Sequence, residues 1–172
     1  HDQCRIDGTC REVPVETEML IGSALERERH TKLICAALNE FVDLRGTLTT
    51  CLRYARELSN CEAVAIRLHD EGDYPYFVYD GFSDTFIRKE NFICSQGRGG
   101  HRLADDERGG FVLDCMCGTI LKGLTDPAAD FFTEGGSFWS NGTTALLAST
   151  TEEDRQGRTR NQCNATGYES VA

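Results

Sequence analysis

The sequence predicts an α+β fold: an antiparallel sheet with helices packed on its faces, preceded by a long N-terminal helix. Three observations carry this expectation. Apolar residues recur at helical spacing early in the chain, and two alternating runs then flank a tight-turn string. The later apolar runs are separated by irregular crossings, which suit antiparallel pairing better than parallel βαβ units. At 172 residues with 40% apolar content, the chain fits one domain with one core.

Residues 1–15 hold Gly8, Pro14 and two cysteines without periodicity, so they read as an irregular lead-in or the end of a preceding domain. Residues 16–172 form the expected domain. A helix is expected over 16–43, charged in its first half (Glu26, Arg27, Glu28, Arg29). Its second half carries an apolar stripe of Leu33, Ile34, Ala37, Leu38, Phe41 and Val42. A stripe that continues from a charged lead needs a cover, which predicts a homodimer through this helix. After Gly46 a second helix places Leu48, Cys51, Leu52, Ala55 and Leu58 on one face.

Strands follow at 62–69, where Val64, Ile66 and Leu68 alternate, and at 74–82. Asp70-Glu71-Gly72-Asp73 between them is a hairpin turn signal. Residues 84–95 are amphipathic without a clear period, and the glycine-rich stretch 96–110 reads as a mobile loop. A short helix carries Leu113, Cys117, Ile120 and Leu121, and it stops at Gly123 and Asp126-Pro127. An apolar run at 145–148, a polar stretch at 150–166 and the start of a strand at 168–172 complete the chain. Because it starts at His1 and stops inside that strand, it reads as a piece of a longer protein.

Charge narrows the function. Lys and Arg total 18 against 28 Asp and Glu, and a net charge of −10 opposes nucleic acid and anionic lipid as partners. No apolar run approaches the ~20 residues of a membrane span, so membrane insertion is not expected. The nine cysteines cannot all pair within one chain, and several fall on apolar helix faces, which points to a reducing cytoplasm. The sequons Asn141-Gly142-Thr143 and Asn164-Ala165-Thr166 are the features that would suit secretion.

Catalytic strings are missing. The glycines at 97, 99 and 100 lack phosphate-loop spacing, no G-x-S-x-G occurs, and His1, His30, His69 and His101 lack metal-ligand spacing. His30 reads as part of a solvated face, His69 as a turn residue, and Asp105-Asp106-Glu107 as a solvated charge run. The chain is therefore not expected to be an enzyme. Its informative residues are Cys115 and Cys117, with Cys94 and Cys163 as additions. Four thiols could hold zinc or an iron–sulfur cluster, although the usual C-x-x-C half-sites are absent. Reversible oxidation is a second use, and service as small buried apolar groups a third. That last reading is assigned to Cys35, Cys51 and Cys61, which sit at core-facing helix positions or a strand start. Phe131, Phe132, Phe138 and Trp139 read as core walls.

The run Leu38-Asn39-Glu40-Phe41-Val42-Asp43-Leu44 carries a resemblance, as do the helix from Leu48 to Leu58 and the strand Ala63-Val64-Ala65-Ile66-Arg67-Leu68. Gly81-Phe82, Cys117-Gly118-Thr119-Ile120-Leu121-Lys122-Gly123 and Gly167-Tyr168-Glu169-Ser170-Val171-Ala172 extend it. From about residue 30 to its end the chain resembles the GAF domain, a sensory module of signalling proteins. Further strings, at 114–118, 136–141 and 160–164 with 167–170, resemble a subgroup found in sensor histidine kinases of anaerobic bacteria and methanogens. The family pattern has one more strand after the last one here.

The resemblance implies a cytoplasmic sensor that binds a small-molecule ligand or senses redox state and passes the signal to an output kinase domain of the same parent chain. Its alternative is a ligand-free dimerisation module of that parent. It also implies a pocket beside the Cys117 helix, with Cys115, Cys117, Cys163, Phe138, Trp139 and Arg158 as candidate ligand or cofactor contacts, Arg160 being a further thiolate partner. Haem is a candidate cofactor, whereas no His follows either cysteine as in bilin-binding members. Cys115, Cys117 and Cys163 are expected to lie close together, because the short helix and the final strand are neighbours in the family.

Overall fold

A computed structural model of the chain describes residues 15–40, 43–105 and 107–172. The expectations for residues 1–14, Phe41, Val42 and Asp106 lie outside the described residues. The chain divides into two units at Val64 and Ala65.

In the first unit α1 (Val15–Asn39) packs along α2 (Leu44–Ser59). The helix expected over 16–43 stops short because Asp43 serves its successor instead. Its extended backbone and a carboxylate accepting the Gly46 N–H at 2.7 Å make it the N-cap of α2, which therefore starts before Gly46. At the other end Asn60 takes the left-handed conformation (φ 52°) that closes a helix. Leu33, Ile34 and Ala37 of the expected stripe are half-buried, whereas Leu38 is exposed. His30 corrects an expectation. Its side chain is only 14% exposed, with Nε2 3.7 Å from Glu57 Oε2 and its ring edge-on to Tyr54, so it joins α1 to α2 rather than facing water.

The second unit opens on an antiparallel pair, β1 (Val64–Arg67) and β2 (Tyr76–Asp80). Asp70 and Asp73 exchange both backbone hydrogen bonds at 2.9 Å across the turn. The two central residues have positive φ, 47° at Glu71 and 84° at Gly72, the pattern of a type I′ turn, whose twist matches that of the strands. Glycine accepts this conformation without strain, so the D-E-G-D string closes the hairpin where the sequence places it.

Ser83 caps α3 (Asp84–Glu90), accepting the Phe86 N–H at 3.2 Å. Segment 93–113, which includes the expected glycine-rich loop, folds on itself through isolated bridges: Cys94 with Leu113, Gln96 with Arg102, and Ala104 with Phe111. Three short helices follow: α4 (Cys115–Leu121), α5 (Thr143–Ser149) and α6 (Gln162–Ala165). The run expected to begin a strand at 168–172 contributes one bridge, in which Ser140 and Val171 exchange hydrogen bonds at 2.8 Å. A single bridge is not a strand, and the sheet among the described residues has two strands.

Val78, Phe86, Ile87, Ile93, Cys94 and Phe132 are the buried apolar side chains of this unit. Phe82 stacks on Phe86 at 4.9 Å, and Tyr168 meets both rings edge-on at 5.6 and 5.5 Å, which ties the C-terminal segment to α3. The structure is thus mixed α+β. Among the described residues no helix is long and apolar enough to cross a membrane.

Candidate functional site

Arg67 ends β1 on the face opposite Val64, Ile66 and Leu68, and its guanidinium fastens the hairpin to the end of α3. Nη1 donates to Tyr74 O at 2.6 Å and to Asn91 O at 2.7 Å, and Nη2 donates to Glu90 O. Carbonyls at a helix C-terminus lack partners and carry partial negative charge, so a cation there satisfies both needs. The same guanidinium lies 3.6 Å from the centroid of the Tyr76 ring.

Glu90, held by this arrangement, is itself buried, with its carboxylate 3.2 Å from Arg160 Nη2. Burial raises the Glu90 pKa, although Arg160 and Arg67 oppose the shift. Burial likewise works against the charge of Arg160, but Cys115, Glu90 and Asp114 outweigh it and keep the guanidinium cationic. Arg160 Nε remains a buried donor without a hydrogen-bond partner.

Residues 158–160 run beside the start of α4. The Cys115 N–H donates to Arg158 O at 2.7 Å, and the Arg160 N–H donates to Cys115 Sγ at 3.2 Å. Cys115 has φ 65°, a left-handed conformation that β-carbon-bearing residues adopt at a cost of order 1 kcal/mol or more. Gly118, one turn on, lets the helix approach closely. A Cβ there would stand 2.6 Å from Leu113 Cβ and 2.7 Å from Leu113 O, so only glycine permits this contact. The N-cap residue Asp114 is buried, accepts from Ser95 Oγ at 2.6 Å and pairs with Arg158 Nη2 at 3.0 Å.

Three of the candidate thiols lie within electrostatic reach of one another near this arrangement. Cys117 lies within electrostatic reach of Cys115, Arg67 and Glu90, and Cys163 within reach of Cys117, Cys115, Glu90 and Arg67. Cys117 and Cys163 both keep accessible surface, yet protein surrounds them closely enough for burial to raise both thiols. Cys163 is pushed up to about 12, with Cys117, Cys115 and Glu90 adding to burial and Arg67 opposing. Tyr76 is also pushed up to about 12 by burial, against the opposing charge of Arg67. At neutral pH these raised groups are uncharged, and the guanidinium groups of Arg67 and Arg160 lie around them together with the Glu90 carboxyl, which burial raises.

The remaining candidates take other partners. Cys94 belongs to a knot around buried Asp73, whose carboxylate accepts the N–H groups of Tyr74, Ile93 and Cys94. Cys94 Sγ contacts Gly72 O at 3.5 Å, and burial followed by the Asp73 carboxylate raises its thiol to about 12. Among the described residues no three His, Cys, Asp or Glu converge closely enough to hold a metal ion, so Cys94, Cys115, Cys117 and Cys163 do not form a ligand set here.

Arg158 is committed to Asp114. Phe138 packs with Phe131 and Phe132 at ring distances of 6.3 and 6.4 Å, and of the expected core aromatics only Phe132 is fully buried. Trp139 is 45% exposed, on an open groove that no thiol lines. Cys35 and Cys61 are exposed rather than core, and Cys51 is half-buried. Cys35 follows the half-buried pair Leu33 and Ile34 and so turns off their face, and Cys61 lies beyond the cap of α2.

Arg67, Tyr76 and Glu90 escaped sequence reasoning. The one available signal was Arg67, a cation in an otherwise apolar strand. Neither a known family, nor a curated protein, nor a solved structure matches the chain.

Proposed function

We propose that this chain is a sensory domain of the GAF type, part of a signalling protein with a histidine-kinase output, and that it reads redox state or a small ligand at the Cys115, Cys117 and Cys163 centre. The observation that carries this reading is the gathering of three thiols around Arg67, Glu90 and Arg160, one of them on strained backbone. Strain of this kind is concentrated at functional sites. The unpartnered Arg160 Nε supports the ligand branch, since an incoming acceptor would satisfy it. In the redox branch a low-molecular-weight disulfide accepts two electrons and leaves as two thiols, while two of the protein thiols lose their protons and join, a slow step at neutral pH because burial raises Cys117 and Cys163. The domain itself catalyses nothing in this reading, and it works in the cytoplasm, where such disulfides form transiently.

Signal transfer is the testable part. Hydrogen exchange in α1 and α2 should differ between reduced and disulfide-treated protein, and the difference should vanish in a Cys115→Ser, Cys163→Ser variant. Identical exchange in both wild-type forms would count against a sensory role for the thiols.

A second reading, a dimerisation module without ligand, draws on the exposure of Met19, Leu20, Leu25 and Leu38 along α1. Light scattering tests this second reading: a wild-type monomer rejects it, and a dimer that persists in a Leu25→Glu, Leu38→Glu variant rejects α1 as its interface.

A further inference from the structure

An open groove of about 400 Å³ lies between the Phe131–Asn141 segment and α5, away from the thiol centre. Its apolar surface comes from Phe131, Trp139 and Leu146. Most of its polar side chains are already engaged. Ser140 Oγ accepts from Gly142 N at 3.2 Å, Asn141 Oδ1 accepts from Ser170 Oγ at 3.0 Å, and Ser149 Oγ donates to Ala145 O at 2.9 Å. Thr150 Oγ1 donates to Leu146 O at 2.6 Å and accepts from Arg155 Nη1 at 2.7 Å. Asp130 is different: among the described residues its carboxylate has neither an ion pair nor a hydrogen bond. An occupant matched to this lining brings a positive charge for Asp130 and an apolar body for the two aromatic residues.

We infer that the groove binds a small organic ammonium ion, with its cationic head between Asp130 and Trp139. Aromatic faces attract cations through their quadrupole, and a neighbouring carboxylate adds to that attraction. A single free carboxylate, with the other polar side chains of the groove already engaged, is a poor site for a hard metal ion, which needs several oxygen ligands. Arg155, buried behind Thr150, places a fixed cation at that residue, so the ammonium belongs at Asp130. The net charge of −10 also draws cations towards the protein.

Trp139 is the one tryptophan of the chain, so its emission reports on the groove directly. The probe is choline at constant ionic strength, with 3,3-dimethylbutan-1-ol as its uncharged counterpart. Choline should produce a saturable change in emission, and the alcohol should bind about tenfold or more weakly, the loss expected when a cation–π and carboxylate contact worth on the order of 1.4 kcal/mol is removed. Asp130→Asn should weaken choline by a similar factor and leave the alcohol unchanged. Because Asp130 is exposed and unpaired, that variant should keep the wild-type circular dichroism. A response absent at all choline concentrations, equal for both probes, or unaffected by Asp130→Asn would overturn the assignment.

Discussion

Removing the Asp73 carboxylate should strongly destabilise the second unit. Asp73 is 1% exposed, and its oxygens accept from Tyr74 N at 2.7 Å, Ile93 N at 2.9 Å and Cys94 N at 3.2 Å. Burial would raise its pKa, but the hydrogen bonds from Ile93, Tyr74 and Cys94 together outweigh burial and hold it below the usual carboxylate range. Asp73→Ala leaves three donors unpaired at about 1–3 kcal/mol each, so the loss should be at least about 3 kcal/mol. That is a large share of the ~5–15 kcal/mol that holds a typical domain together. Asp73→Asn keeps one acceptor but turns an amide N–H toward a donor, and it should cost about 1–3 kcal/mol.

Urea unfolding at neutral pH, followed by Trp139 emission and far-UV circular dichroism, measures both variants. The pH dependence has a definite sign. With the folded pKa lowered, the stabilisation by Asp73 is complete above the unfolded value of about 3.8 and disappears as pH falls through the folded value. The gap between wild type and Asp73→Asn should therefore close on acidification. An Asp73→Ala midpoint within about 0.5 kcal/mol of wild type would refute the account of this knot.

Other outcomes follow from the same geometry. Gly118→Ala forces a methyl against Leu113 and should destabilise by about 1–3 kcal/mol in thermal melts, while also changing the alkylation rates of Cys115 and Cys117. Asp43→Ala removes the cap of α2 and should cost about 1 kcal/mol by chemical denaturation. Alkylation of Cys163 by iodoacetamide should be far slower at neutral pH than that of a free thiol, and should rise about tenfold per pH unit toward its pKa of about 12. A rate that levels off near pH ~8.5, where a free cysteine titrates, would remove the burial argument.

Local chemistry was legible in the sequence and tertiary chemistry was not. The hairpin is encoded by four consecutive residues, so Asp70 to Asp73 announce it without help from the rest of the chain. The short helix at Cys117 was equally readable from its stripe and its glycine stop. Boundaries were missed where one side chain decides them: Asp43 looks like one more polar helix residue until its carboxylate is seen on the Gly46 N–H. Cys35 and Cys61 were misplaced for a similar reason, a rotation of one residue and a cap that periodicity does not resolve.

The centre itself divides the same way. Its cysteines stood out by composition, and the expectation that Cys115, Cys117 and Cys163 lie close together came from the family resemblance alone. Arg67, Glu90 and Tyr76 were hidden, because a strand arginine and a helix-end glutamate look solvated in any sequence. Only the fold turns them inward, where Glu90 and Arg160 meet across 70 residues of chain.

The account turns on whether the three thiols respond together to an oxidant. Protein treated with graded glutathione disulfide, alkylated and mapped by mass spectrometry tests this directly. The account predicts an intramolecular disulfide between two of Cys115, Cys117 and Cys163, which dithiothreitol reverses. Oxidation confined to the exposed Cys35 and Cys61, with all three centre thiols still reduced, would contradict it.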